Sequence, residues 1–393
     1  MRLLPRRRWT RIVLAVLLGL FAYGSYSLLR STPPQLIGSG EPMNAVVHHE
    51  YGPPDVLRFE QSEKPLPKEN QVLIQVRAAA ANPLDWHTAR GTPYLMRIGG
   101  GGVRRPSDPR MGVDVAGVVA IVGKNVTEFK PGDEVFGVAG GAFAEYALAS
   151  PKRITLKPPT MSFEQAASIG VAAITALQAL RDSGQLKPGQ KVLINGASGG
   201  VGTFAVQIAK ALGAEVTGVC SGRNVELVRS LGADHVFDYT KEDFTQSGQQ
   251  YDVVIDNVGN RRLRDVRRVM SSQGLYVLIG GGGPDAGDWI GALKGPIKAA
   301  VYSPFVSQDF AFMIATVTTA DLNVISELME SKKLTVVIDR TFPLRETAAA
   351  IRYLETGRAR GKVVIIVNDE RPDRTNHSAT SRLGTQHSHA IAG

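Results

Sequence analysis

The stretch with the clearest capacity for chemistry runs from Lys191 to Arg223, KVLINGASGGVGTFAVQIAKALGAEVTGVCSGR. In it Ser198, Gly199, Gly200 and Val201 stand where an apolar strand-length run gives way to helical spacing. A helix start carries unpaired backbone N–H groups, and glycine lets an anion approach them, so a dinucleotide pyrophosphate suits this site. A purely steric turn is the alternative, but the strand before the glycines and the helix after them favour binding. About 20 residues beyond such a turn, NAD-binding units carry an Asp or Glu that holds the ribose 2′-hydroxyl. Counted from Gly199, that place falls at Val219 or Cys220, and the chain reads Cys220-Ser221-Gly222-Arg223, with no carboxylate. The Ser221 hydroxyl and the Arg223 guanidinium suit a 2′-phosphate, which a carboxylate would repel. The expected cofactor is therefore NADP(H), with a solvated Arg223 as the alternative.

These residues need a frame. Lys191–Asn195 reads as a strand, and Phe204, Val206, Ile208, Ala209 and Leu212 recur at helical spacing. Gly213 occupies a helix C-cap position, and Glu215–Val219 reads as the next strand. Further strands at 235–237, 252–256 and 274–279 alternate with helical stretches, which predicts a doubly wound parallel sheet. Upstream, Met43 begins a β-rich region with short strands at 72–78, 115–122, 134–138 and 144–147. Downstream, a helix at 321–330 precedes a return to β structure ending in Gly361–Val367.

Composition narrows the function. The 393 residues are 43% hydrophobic and 21% charged, a globular balance that suits two domains plus tails. Residues 1–42 supply +5 of the net +9, through six arginines against Glu41, so charge gives little support to a nucleic-acid partner. Five arginines between Arg261 and Arg268 read as a solvated helix face. Cys220 is the only cysteine, which excludes an intrachain disulfide and a four-cysteine zinc site. His387 and His389 lie in a polar stretch from Asn368 that is expected to be disordered.

The N-terminus carries a basic cluster and then the apolar run Ile12–Leu29, long enough for a transmembrane helix. The rival is a cleaved signal peptide with an h-region at Ile12–Ala22, but no good cleavage site follows it. An uncleaved single-pass membrane anchor is the expectation. Its orientation stays open, because the positive-inside rule would place the arginines in the cytosol and the rest of the chain, with its NADP(H) site, on the far side.

From Met43 to Val367, about 325 of the 393 residues, the chain resembles the medium-chain dehydrogenase/reductase superfamily, in its zinc-free quinone oxidoreductase-like branch. The motifs that carry the resemblance include YGPPDVL (51–57), ANPLDWHTARG (81–91), MGVDVAGVVAIVG (111–123), the glycine-rich turn, LGADHVFDY, YDVVIDNVG and ARGKVVI. It implies a GroES-like β-rich catalytic domain at 43–163, a Rossmann domain at 164–303, a return to the catalytic domain at 304–367 and a tail at 368–393, with 1–42 as an extension. The zinc branch requires a cysteine near Asn82 and Gly-His-Glu where this chain reads Gly112-Val113-Asp114. With two of three ligands missing from the sequence, zinc-assisted alcohol oxidation has no site.

The resemblance implies NADPH-dependent hydride transfer to a quinone or an α,β-unsaturated carbonyl. Hydrogen-bond donors would then stabilise the developing oxyanion. Asn82 is the candidate donor, Asp85 a loop-fixing residue, and His87 or Tyr94 the candidate proton source, with solvent as the alternative. Asp114 is expected to be scaffold, and Lys362 fits the terminal Gly-Lys of the family. Tyr239 would lie against the adenosine, Asn257 and Gly280 near the nicotinamide ribose, and Thr175 near the nicotinamide; for Tyr239 and Asn257 capping or packing is the alternative. A homodimer is expected as a possibility. The competing functions are an NADPH-binding redox sensor or membrane organiser without turnover, and zinc-free oxidation of saturated alcohols.

Overall fold

The computed structural model describes residues 38–94, 97, 102–280 and 307–367. In chain order the first half comprises β1 (Gly38–His48), β2 (Leu57–Pro65), β3 (Val72–Ala81), α1 (Pro83–Arg90), β4 (Asp114–Val122), β5 (Glu134–Val138), β6 (Tyr146–Ala149), β7 (Ile154–Leu156), α2 (Phe163–Ala167) and α3 (Ala172–Gln178). Then come β8 (Lys191–Asn195), α4 (Gly200–Ala211), β9 (Glu215–Cys220), α5 (Val225–Ser230), β10 (His235–Asp238), β11 (Tyr251–Asp256), α6 (Leu263–Val266), β12 (Met270–Leu278) and β13 (Asp309–Phe312). The chain ends its described part with α7 (Thr319–Glu330), β14 (Ile338–Pro343), α8 (Thr347–Glu355) and β15 (Lys362–Ile366).

Two sheets matter for the site. One is seven-stranded, running β14-β15-β3-β4-β5-β7 with β6 also on β3, and the other is a six-stranded parallel sheet ordered β10-β9-β8-β11-β12-β13. The parallel sheet reverses its strand order between β8 and β11, and such a switch point opens a crevice beyond the carboxyl ends of the strands. β8 and β11 are almost wholly buried because helices cover both faces, which is why their sequences read as continuous apolar runs. α4 is buried over most of its circumference, from Gly202 to Ala209, and ends as expected at Gly213, whose φ is +82°.

The return of the chain is the feature that builds the site. β15 pairs antiparallel with β3, matching Val363 to Ala81 and Ile366 to Ala78. This seats the last described strand beside the strand that leads into α1.

Two expectations require correction. The parallel sheet takes β13 from Asp309–Phe312, beyond the boundary expected after Ser303, because this segment pairs with β12. No helix among the described residues is long and apolar enough to cross a membrane. That corrects the expected transmembrane helix, and with it the membrane as partner and location; Ile12–Leu29 itself lies outside the described residues, as does the tail from Asn368.

Candidate active site

The glycines between β8 and α4 differ in what demands them. Gly196 has φ +79°, a conformation that side chains disfavour. Gly202 is demanded by packing, since a Cβ there would lie 2.1 Å from the Gly196 carbonyl oxygen. Gly199 and Gly200 are different. Gly199 has an ordinary φ of −83°, and a Cβ on either residue would meet nothing closer than 3.4 Å. The fold itself has little need of glycine at these two positions, and a Cβ would project into the space at the helix start. Their chemistry fits a pyrophosphate cradled against the first turn of α4.

The β-rich domain reaches this turn directly. Gly361, just before β15, donates its N–H to the Ser198 carbonyl at 2.9 Å, and Gly199 and Gly361 form an isolated parallel bridge. Gly361 has φ +82°, and a Cβ there would collide with the Val337 carbonyl.

One residue on, Lys362 turns into a buried polar network. Its Nζ donates to Asn82 Oδ1 at 2.6 Å and lies 3.1 Å from Asp114 Oδ2; the two charged side chains are 2% and 0% exposed. Asn82 Nδ2 donates to Asp114 Oδ2 at 2.9 Å and to the Ala80 carbonyl at 3.2 Å. Asp114 Oδ1 accepts from the Val171 N–H at 2.7 Å, just before α3. Asp85 closes a capping box with Asn82, whose N–H donates to Asp85 Oδ2 at 2.7 Å. Burial pushes the Asp85 carboxyl up to about 7, and the nearby Asp114 charge adds to the rise, against the Asn82 hydrogen bond and Lys362.

This geometry reassigns Asn82. It was expected to donate to a substrate oxygen, but both N–H groups of its amide are spent on Asp114 and Ala80. Asp114 is more than passive scaffold, because it joins α3, the loop before α1 and Lys362. No sequence pattern pointed to this joint role; the only signal was the presence of each residue in a family motif.

The proton-donor candidates sit at the end of α1. His87 Nδ1 lies 2.8 Å from the Thr92 carbonyl. A carbonyl only accepts, so Nδ1 carries the proton and Nε2 holds a lone pair. Burial lowers the His87 pKa, which keeps the ring neutral, and the ring stacks on Trp86 at 3.7 Å. The Tyr94 ring lies 4.4 Å from the Arg97 guanidinium, which also covers the Tyr51 ring and donates to the Gly91 and Arg90 carbonyls. Tyr94 thus belongs to the cluster that caps α1.

The remaining cofactor candidates fall into three groups. Ser198 and Ser221 come together through Asn224, which the sequence reading did not single out. Arg223 is exposed beside them and donates to the Arg358 carbonyl at 2.7 Å; Tyr239 follows β10 and is 53% exposed. Asn257 donates through Nδ2 to the Asn195 carbonyl at 3.0 Å, and its Oδ1 is buried without a partner. Gly280 packs against Asn257, where a Cβ would lie 2.2 Å from the Asn257 carbonyl oxygen. Thr175 donates to the Val171 carbonyl at 2.6 Å, and the N–H of the same Val171 donates to Asp114. Val201 is half-buried in the first turn of α4.

A parallel sheet with a glycine turn at its switch point, locked to a mixed β domain, defines a two-domain, dinucleotide-dependent oxidoreductase fold. Residues 68–160 match the alcohol dehydrogenase GroES-like domain, and residues 231–365 match the zinc-binding dehydrogenase family. A mitochondrial NAD(P)H oxidoreductase of Mus musculus is 35% identical over 362 residues, covering 83% of this chain and 89% of its own. A chloroplastic NADPH-dependent alkenal/one oxidoreductase of Arabidopsis thaliana is 36% identical over 341 residues, covering 82% and 79%. The quinone oxidoreductase structure from Coxiella burnetii superposes with a TM-score of 0.74 at 33% identity, covering 84% of this chain and all of that one. The chain belongs to the medium-chain dehydrogenase/reductase superfamily, in its zinc-free quinone oxidoreductase-like branch.

Proposed function

We propose that this protein is an NADPH-dependent oxidoreductase that reduces a quinone or an α,β-unsaturated carbonyl without zinc. The observation that carries the reading is the pair Gly199 and Gly200, glycines with little structural need of their own, at the switch point and bridged to the other domain. Relatives named as quinone and alkenal/one oxidoreductases support the acceptor class. The donor set supports the absence of zinc: Cys220, the only cysteine, is buried in β9.

Bound NADPH supplies the hydride. The backbone of Ser198, Gly199, Gly200 and Val201 holds the pyrophosphate at the start of α4, and Ser221 and Arg223 hold the 2′-phosphate. Tyr239 lies at the adenosine, Asn257 and Gly280 at the nicotinamide ribose, and Thr175 at the nicotinamide. The Lys362–Asn82–Asp114 network keeps the wall between the domains in place. With the His87 ring neutral and committed to Thr92, the final proton comes from solvent.

Incubation of the full-length protein with NADPH and a panel of quinones and enones tests the proposal. Acceptor-dependent NADPH oxidation is expected. Tight NADPH binding with no turnover on any acceptor would favour the redox-sensing alternative, and alcohol-dependent NADP⁺ reduction would favour the alcohol oxidoreductase.

A second copy of the chain is the proposed partner. Among the described residues β13 is one edge of the parallel sheet, with Phe312 exposed and Ile314 just beyond it 80% exposed. An apolar edge strand is a template for pairing. Sedimentation should give a dimer that Ile314→Lys weakens; a monomer at all concentrations would reject it.

A further inference from the structure

The loop after β9 holds a residue whose hydrogen bonds are unusual for a packing role. Asn224 is 4% exposed. Its Nδ2 donates to Ser198 Oγ at 3.0 Å and to Ser221 Oγ at 3.3 Å, two serines 23 positions apart on separate loops. Its Oδ1 is buried and has no hydrogen-bond partner. An orphaned buried acceptor is unfavourable, so stability alone gives no reason for an amide here.

The amide has a directional effect. A serine oxygen that accepts from an N–H keeps its own O–H proton to donate elsewhere. Asn224 spends both N–H groups in this way, so Ser198 and Ser221 are both set as donors to groups outside this trio. Of the nearby carboxylate of Asp238, Oδ1 accepts from the Thr240 N–H and hydroxyl, while Oδ2 is buried beside Gly222 without a hydrogen-bond partner, 3.5 Å from the Lys241 ammonium. Arg223, adjacent in the chain, adds a cation. Two hydroxyl donors and a guanidinium match an acceptor-only group such as a phosphate. A 2′-phosphate would receive charge-assisted bonds from them that a free ribose 2′-hydroxyl would not.

We infer that Asn224 is a positioning residue for cofactor discrimination: it sets Ser221 as a donor to the 2′-phosphate and couples it to Ser198 at the pyrophosphate turn. This inference rests on the NADP(H) reading of the site. Asn224→Asp is the direct test, because it keeps the size, draws the serine protons inward and adds negative charge.

Dissociation constants for NADPH, NADH, adenosine 2′,5′-bisphosphate and AMP are to be measured by calorimetry on the full-length protein, with a melting curve for each variant. Loss of one charge-assisted hydrogen bond predicts that Asn224→Asp weakens NADPH and the bisphosphate by about tenfold or more. NADH and AMP should weaken by much less. Ser221→Ala should show the same selectivity and serves if Asn224→Asp does not fold. Equal weakening of all four ligands, or no weakening of any, in the folded variants would assign Asn224 a structural role and overturn the inference. If the wild-type protein binds neither NADPH nor NADH, the cofactor reading itself fails, and the inference with it.

Discussion

Replacing Lys362 with Met should cost the folded protein about 3–5 kcal/mol, the range for removing one partner of a buried ion pair. The structure explains why the value should be this large. Asp114 is fully buried and accepts from three donors, Lys362 Nζ, Asn82 Nδ2 and the Val171 N–H. Methionine keeps most of the aliphatic stem but leaves Asp114 with two neutral donors and no counter-charge. It also frees Asn82 Oδ1, which accepts from Lys362 Nζ at 2.6 Å. Asp114→Leu should cost a similar amount by stranding the ammonium. The double variant should cost less than the sum of the two, because each half of the damage is the stranded partner, and a coupling of about 2–3 kcal/mol is expected. Urea unfolding of the full chain, followed by both tryptophan fluorescence and circular dichroism, measures the cycle. Coincidence of the two signals checks that a single transition is being read. Strictly additive effects, or a loss under about 1 kcal/mol for Lys362→Met, would refute the network as a coupled unit.

Other expectations follow from the same geometry. Gly199→Ala should change stability by no more than about 1 kcal/mol, as a helix N-cap substitution, yet abolish tight NADPH binding. Gly202→Ala should destabilise by about 3 kcal/mol, because its Cβ meets the Gly196 carbonyl; calorimetric binding and melting of the two variants would expose a reversal. Asp85 holds its proton more tightly when folded than its ordinary value of 3.8 allows. Its contribution to stability is full below that value and is lost as pH rises through about 7. Asp85→Asn should therefore gain stability relative to wild type between pH 4 and 8, and parallel stability curves would reject this. His87→Phe, which retains an aromatic ring against Trp86, should leave kcat within about threefold, whereas a general acid would contribute about a hundredfold or more; steady-state rates with the best acceptor decide it.

The sequence by itself determined the elements whose signals are local. The strand, glycine turn and helix at 191–211 are legible because backbone conformation, apolar period and helix capping all act within a few residues. The absence of an acid near Cys220 is legible for the same reason, as is the loss of zinc ligands at Asn82 and Val113 once the family motifs are aligned. The apolar run Ile12–Leu29 shows the limit of such reasoning, since hydropathy alone suggested an anchor that no helix among the described residues supports.

Only the tertiary structure decided how the polar residues are spent. Lys362 meets Asn82 across 280 positions and Asp114 across 248, a meeting that exists because β15 returns to pair with β3. Asn82 therefore serves as an internal link and is not the free donor its motif suggests. Asn224 likewise acquires its role from Ser198, 26 positions away on another loop. Residue type states which hydrogen bonds a side chain can make, whereas chain topology determines which groups reach it and so which of those bonds remain for a ligand.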